Sequence, residues 1–435
     1  MMTAVILAGG RGVRMGDVCQ LLPKPMLCID GKPILQRQIE ALSKEGVSDF
    51  LIVAGYLHEA ITDYFGTGER FGVRIRYFIE PQPMGTGGAL KQLNLTDDFL
   101  LVNGDLLFAF SLQPLLAFHR SKQARITVYA HPNAHPFDST LLQCNLQTDK
   151  VISCGHYTAG SDVYPNLCNA GVQIVSPAAL DIVPARNYLS FDEDILAPNI
   201  KTGRVYAYRR SEYILDIGTP ERLEAAERLV KTDLLKAKRC DRPQRAVFLD
   251  RDGTINQHKG YIDTPNQMVL LPGVTTAINR FHALGYLVIV ITNQPVVARG
   301  QCSISELQRI HNRMELLLGM DGAFVDAIYF CPHHPDKGFP NEDARYKIRC
   351  DCRKPAPGMI LRAAETYRID LSCSYMVGDS RTDIETAQNA GCVPVHLKSA
   401  SSDDPSVELS FDDLLHFSAF LLQKGEENNH VAQRC

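Results

Sequence analysis

The sequence predicts an α/β protein of two domains. Three observations carry this. The 435-residue chain is longer than one ordinary hydrophobic core organises. Short apolar runs of strand length, ending in glycine or a carboxylate, alternate with helical patterns, as in sheets with helical crossovers. A polar, proline-containing stretch, Arg239-Cys-Asp-Arg-Pro-Gln244, breaks that alternation near the middle. The domains are placed at 1–238 and 245–400, with 239–244 as a linker and 401–435 as a tail.

Hydrophobic content of 45% and charged content of 22% fit a soluble globular protein. A net charge of −4 gives no nucleic-acid footprint. No apolar run approaches about 20 residues, so no membrane span is expected. The N-terminus has neither a basic region nor a long apolar stretch of a signal peptide. Thirteen cysteines, odd in number and scattered, point to reduced thiols with one metal cluster in a cytoplasmic protein.

The first strand, Thr3 to Ala8, enters Gly9-Gly-Arg-Gly-Val-Arg-Met15. Such a loop lets backbone N–H groups approach phosphate, and Arg11 and Arg14 add charge. Leu22-Pro-Lys-Pro-Met26 follows, then Gly31-Lys-Pro-Ile34 opens an amphipathic helix that stops near Gly46. Phe50 to Ala54 and Val73 to Phe78 read as strands, and His58 to Phe65 as a helix. Glu80-Pro-Gln-Pro-Met-Gly-Thr-Gly-Gly-Ala-Leu90 is a second glycine-rich loop, after whose glycines helix is expected to resume. Phe99-Leu-Leu-Val-Asn-Gly-Asp105 is a buried strand ending in a carboxylate, and Tyr213 to Pro220 carries another at Asp216. Strand-end acids also serve as helix caps. Pro220 starts a helix expected to run from Glu221 to Lys238, its basic end suiting the dipole.

In this order these segments resemble the sugar-1-phosphate nucleotidyltransferases, most closely the branch handling heptose or mannose 1-phosphates. The resemblance covers nearly all of residues 1–230 and implies a Rossmann-like mixed sheet. It implies that Gly9, Gly10, Arg11 and Gly12 wrap the nucleotide. Lys24 would reach phosphate beside Arg14. Glu80, Gly85, Thr86 and Gly87 would read the base and position the nucleotide, with Asn103 and Asn169 also at the site. Asp105 and Asp216 would hold Mg²⁺. GTP is the donor that the resemblance favours. One departure concerns the sugar phosphate. Where these enzymes often carry Glu-Lys, this chain has Ser153-Cys-Gly-His-Tyr-Thr158. His156 or His135 are candidates to substitute, although such histidines are more often surface residues.

The second half opens on Ala246-Val-Phe-Leu249, a buried parallel strand, followed by Asp250-Arg-Asp252-Gly253. Positions i and i+2 share a face of a continuing strand. Gly253 predicts a turn instead, leaving both carboxylates at the carboxyl edge of the sheet, where open α/β sheets bind ligands. Gly273 to Gly285 reads as a helix. Tyr286 to Asn293 is a strand whose Thr292 and Asn293 can hold a phosphoryl oxygen. Ser303 and Glu306 form a predicted capping box for a helix reaching about Leu318. Cys331, His333, Cys350 and Cys352 make the Cys₃His set of a closed structural zinc site. Tyr375-Met-Val-Gly-Asp379, then Asp383, is a further strand ending in acids. Residues 399–404 read as a linker, and Asp412 to Gln423 as a short amphipathic helix with a frayed end.

Asp-x-Asp-Gly-Thr, Thr292, Lys354 and Gly-Asp-x-x-x-Asp stand in the order of the four motifs of haloacid-dehalogenase-type phosphatases. This resemblance covers about 245–398 and implies a parallel sheet of that fold with a zinc-bound loop. It implies Asp250 as nucleophile, Asp252 as general acid and base, and Lys354 offsetting charge. Mg²⁺ would lie at Asp250, Asp252 and Asp379, with Asp383 alongside. The zinc loop narrows the resemblance to the histidinol-phosphatase and D-glycero-D-manno-heptose 1,7-bisphosphate phosphatase branch. Lys259-Gly-Tyr261, Thr292-Asn-Gln294, Ala298-Arg-Gly300 and the run to Arg353-Lys354-Pro355 favour the heptose enzymes. Asn293, Arg299 and Arg353 are the implied substrate contacts. The two resemblances together imply a bifunctional enzyme acting on heptose phosphates and a nucleoside triphosphate, with no nucleic acid or membrane partner. A histidinol-phosphate phosphatase fused to another nucleotidyltransferase, and a phosphatase with a non-catalytic sensing domain, remain the alternatives at this stage. Sugar anomer, base and oligomeric state are not fixed by these residues.

Overall fold

The structure is a computed structural model, which describes residues 2–10, 12, 21–156, 165–232, 234–398 and 407–432. Arg11 and Arg14 lie outside the described residues. The chain divides into two compact units. The first comprises Met1–His131, Ser139–His156 and Leu167–Cys240; the second comprises Pro132–Asp138, Tyr157–Asn166 and Asp241–Cys435. The segments at 132–138 and 165–166 are excursions that no composition shift marks. Asn166 ties them to one another, accepting from Asn133 N and donating to Asn133 O.

The expected linker is anchored along its length. In the first unit, Arg239 donates to Glu45 at 2.8 Å and Cys240 N donates to the buried Glu212 at 2.9 Å. In the second, Gln244 N donates to Arg368 O.

The first unit is built on a mixed nine-stranded sheet. Its parallel part runs Phe99–Asn103, Thr3–Ala8, Asp49–Ala54, Arg74–Ile79 in spatial order. Cys168–Val175 then pairs antiparallel with Phe99–Asn103. Phe50 to Ala54 is buried at every position, which its unbroken apolar run dictates: helices cover both faces and two hydrophobic clusters fill the space. Register sets Ala8 beside Ala54, Ala54 beside Ile79 and Leu7 beside Asn103. The loops leaving these strand ends therefore meet on one edge.

The second unit is a six-stranded, wholly parallel sheet. Its order is Ala327–Cys331, Tyr286–Asn293, Arg245–Leu249, Tyr375–Gly378, Val393–Leu397, Ser410–Phe411. From Arg245–Leu249 the chain winds outward one way, then returns and winds the other way from Tyr375–Gly378. The crevice between those two strands is the topological switch point, and Asp250 and Asp379 immediately follow them.

Several local expectations are corrected. After Gly88 the chain makes only a 3₁₀ turn, Leu90–Leu93, because Asn94 turns left-handed at φ 49°. The helix from Pro220 ends at Lys231 rather than Lys238, capped at Thr232. Ser303 does cap its helix through Glu306 N, but the Glu306 carboxylate pairs with Arg309. The last helix spans Leu414–Ala432, well past Gln423. Leu414, Phe417 and Leu421 anchor it in the core, and a single glycine, Gly425, is too weak a breaker to end it.

Candidate active sites

At the switch point of the second unit, Asp250 is nearly buried and Asp383 wholly so. Lys354 Nζ lies between them, 2.6 Å from Asp250 and 2.5 Å from Asp383. Burial pushes the Asp250 carboxyl up to about 7; Lys354 opposes this, and Asp383 and Asp252 add to it. Burial alone would lower the Lys354 ammonium, but the two carboxylates hold it above its ordinary value. Lys354 is held in place through its backbone, whose N–H and C=O both bond the Asn293 side chain. Asp383 is fixed by the N–H and hydroxyl of Ser380.

Asp250, Asp379 and Asp383 each offer an oxygen within 4.8 Å of the others. Three carboxylates against one lysine leave net negative charge, which a divalent cation suits. The Asp252 carboxylate lies outside that group and is engaged elsewhere. Its oxygens accept from Arg251, Asn256 and Gln294 at 2.9–3.2 Å. Burial would raise its carboxyl, but the Arg251 charge and these bonds outweigh that and hold it below the usual range. The turn expected at Gly253 is present at φ +89°.

Cys331, His333, Cys350 and Cys352 also gather within 4.8 Å. Five of their donor-to-donor distances fall between 3.2 and 3.7 Å. A tetrahedron with zinc bonds of 2.0–2.3 Å has edges of about 3.3–3.8 Å, so the donor set fits one ion. Arg353 donates to His333 O at 3.2 Å, tying the cluster to the segment that presents Lys354. The Arg299 guanidinium lies 4.3 Å over Tyr261 and 4.5 Å over Phe339.

In the first unit, the strand ends surround a cavity of about 820 Å³. Gly9, Gly10, Gly12, Lys24, Glu80, Gly85, Thr86, Asn103 and Asp105 line it. Gly87, Asn169 and Asp216 do not. Gly87 packs under Leu189, bonding its carbonyl. Asn169 bonds Asp192, Gln173 and Gly171 instead. Lys24, nearly buried, sits 2.5 Å from Asp105. Asp216 accepts from Arg222 Nη1 at 2.8 Å. Its strand is joined to the Asp105 turn by Ile217 N donating to Asp105 O. Glu80 packs so closely on Gly9 that a Cβ there would overlap its carboxylate. Burial raises the Glu80 carboxyl, opposed by one bond from Met84 N at 3.3 Å. His135 and His156 bond locally, to Asp138 and to Ser139 O, and neither lines the cavity.

Sequence comparison matches residues 3–140 to the Nucleotidyl transferase family and residues 351–412 to the HAD-hydrolase-like family. The D-glycero-beta-D-manno-heptose-1,7-bisphosphate 7-phosphatase of Rhodopseudomonas palustris is 43% identical over 150 residues, 34% of this chain and 81% of that protein. The chain belongs to the heptose-1,7-bisphosphate 7-phosphatase family. The Escherichia coli K12 member is 35% identical over 189 residues, 43% of this chain and 97% of its own. Among solved structures, a D,D-heptose 1.7-bisphosphate phosphatase from B. bronchiseptica complexed with magnesium and phosphate is 35% identical. It covers 42% of this chain and 99% of its own at TM-score 0.37. HddC from Yersinia pseudotuberculosis complexed with GMP-PN is 28% identical and covers 52% of this chain and 98% of its own at TM-score 0.45.

The chain is thus an enzyme that joins a heptose-bisphosphatase-family domain to a nucleotidyltransferase-family domain. Sequence reasoning did not give Arg251 and Gln294 a role, although an arginine between two strand-end acids was a visible signal. It also passed over Tyr56, Gln82, Tyr188 and Ser190 on the cavity wall. Gln82 lies in the Glu80 loop already singled out, but Tyr56 and the pair Tyr188 and Ser190 come from two other loops that nothing local marks.

Proposed function

We propose that the second unit removes the 7-phosphate of D-glycero-D-manno-heptose 1,7-bisphosphate, and that the first transfers GMP from GTP to the heptose 1-phosphate so formed, releasing pyrophosphate. The observation that carries the phosphatase reading is Asp250, buried at the switch point with Lys354 2.6 Å away. Asp250 attacks phosphorus and forms an aspartyl-phosphate. Asp252, which takes up a proton as the substrate phosphate binds, gives it to the departing sugar oxygen and then takes one from the water that releases phosphate. Lys354 offsets charge on the phosphoryl group, and the Thr292 hydroxyl and Asn293 position it. Asp250, Asp379 and Asp383 would hold Mg²⁺, which supplies additional positive charge to the transferring phosphoryl group. Arg299 and Arg353 would meet the sugar bisphosphate. Cys331, His333, Cys350 and Cys352 would hold a structural zinc ion. The substrate follows from the relatives, which act on this bisphosphate by name.

In the first unit, Gly9, Gly10, Gly12 and Lys24 would meet the phosphates and Asp105 with Asp216 would hold Mg²⁺. Glu80 and Asp105 are the carboxylates lining the cavity. Guanine offers two adjacent donors, N1–H and N2–H, to a carboxylate, whereas the Watson–Crick edges of adenine, cytosine and uracil do not. Glu80 therefore favours GTP as donor.

Purified protein given the bisphosphate, GTP and Mg²⁺ should release phosphate and pyrophosphate in equal amounts. A panel of sugar 1-phosphates and nucleotides tests the first unit: no pyrophosphate from any pairing would remove the transfer reading. Histidinol phosphate hydrolysed in preference to the bisphosphate would overturn the substrate.

A further inference from the structure

Gln294 follows the Tyr286–Asn293 strand and is 2% exposed. Its amide bridges two catalytic motifs. Nε2 donates to Asp252 Oδ2 at 2.9 Å and to Thr292 Oγ1 at 2.8 Å. Oε1 accepts from Arg251 Nη2 at 3.0 Å. Arg251, fully buried, completes a closed ring by donating to both Asp252 oxygens. The orientation of the amide follows from this ring. Turned over, it would set oxygen against the Asp252 carboxylate and nitrogen against the guanidinium, acceptor to acceptor and donor to donor.

Two consequences follow for the groups that touch substrate. Asp252 is confined to one rotamer, with Arg251 behind it and Gln294 at one oxygen. The Thr292 hydroxyl accepts from Gln294, so its own proton is directed elsewhere, and a phosphoryl oxygen at Asp250 is the acceptor that chemistry brings there. Both Nε2 hydrogens of Gln294 are taken by Asp252 and Thr292 and its oxygen by Arg251, so its amide acts through those groups.

We propose that Gln294, backed by Arg251, is a positioning residue that fixes the Asp252 proton carrier and the Thr292 hydroxyl in one mutual geometry. The proposal rests on the phosphatase reading above. In the step concerned, an Asp250 oxygen bonds to phosphorus and the phosphorus–sugar oxygen bond breaks. The electron pair stays on the sugar oxygen, which takes the Asp252 proton. Water then gives a proton to Asp252 as its oxygen bonds to phosphorus, and the Asp250–phosphorus bond breaks to release phosphate. Both proton transfers need Asp252 aimed at the right oxygen within a few tenths of an ångström.

The test compares two variants on two substrates. Gln294→Glu keeps the volume and the acceptor for Arg251 but loses both donors; Gln294→Leu loses all three bonds. The kcat/KM for heptose 1,7-bisphosphate covers departure of an alkoxide, which needs a proton. The kcat/KM for p-nitrophenyl phosphate covers departure of a phenolate, which does not. Both variants should lose about 10²-fold on the bisphosphate and about tenfold less than that on the aryl phosphate, with melting temperatures close to wild type. If the leucine variant does not fold, the glutamate variant decides. A Gln294→Glu protein as active as wild type on the bisphosphate overturns the proposal, as does an equal loss on both substrates in a stable variant. Wild-type protein that hydrolyses neither substrate overturns the phosphatase reading, and this proposal with it.

Discussion

Gly253 and Asp379 meet so closely that no side chain fits between them. A Cβ on Gly253 would overlap the Asp379 carboxylate, and Gly253 holds φ +89°. The turn within the first motif and the first acid of the fourth are thereby interlocked. Gly253→Ala adds a left-handed strain of about 1–2 kcal/mol and pushes Asp379 away. Phosphate release should fall about 10²-fold, the cost of a misplacement near 1 Å. Nucleotidyl transfer from supplied heptose 1-phosphate should continue. Phosphate release at the wild-type rate would show that the placement of Asp379 is unimportant.

Asp250→Asn removes the attacking carboxylate but keeps its shape. It should abolish phosphate release and block sugar-nucleotide formation from the bisphosphate, while heptose 1-phosphate is still converted. Lys24→Ala or Asp105→Ala should do the reverse, lowering pyrophosphate release about 10²–10³-fold, as loss of one transition-state charge contact does. An Asp250→Asn protein that fails equally with both sugars would contradict two separable sites.

Cys352→Ser removes one of three thiolates from a cluster that closes a loop with little core of its own. Metal analysis of the wild type should give one zinc per chain, and the variant should bind less and melt lower. Its loss of stability should exceed its loss of intrinsic phosphatase rate. Zinc-free wild-type protein with normal melting would rule the site out.

His311 should make the second unit sensitive to acid. It is 1% exposed, and burial, together with the Arg251 charge, lowers its pKa to about 3. The unfolded chain titrates this group near its ordinary value of about 6.5. Below that pH the unfolded state binds a proton that the folded state does not, so stability is complete above it and falls as pH drops toward 3. Between pH 7 and 5 the single group amounts to about 2 kcal/mol. Urea unfolding followed by circular dichroism should therefore show wild type losing more stability over that interval than His311→Gln. Equal losses would assign the acid sensitivity to other groups.

The amino-acid sequence determined where the chemistry lies along the chain. Asp250, Thr292, Lys354 and Asp379 were each marked by an apolar run that stops or by a neighbouring motif. The Cys₃His set was marked by composition alone. Buried parallel strands must be continuously apolar, so their ends stand out, and ligands gather at those ends for geometric reasons that need no coordinates. Which acids face one another was decided only by the tertiary structure. The sequence placed Asp383 beside the metal group, but only the structure brings its carboxylate within reach of Asp250 and Asp379, while Arg251, Asn256 and Gln294 engage that of Asp252. Glu80 against Gly9, and Gln294 between Asp252 and Thr292, were hidden for the same reason. A strand's period fixes which face a side chain takes only while the strand lasts. Past that point, direction depends on the backbone path and on partners, some adjacent, as Arg251 is to Asp252, and some more than 40 residues away, as Gln294 is.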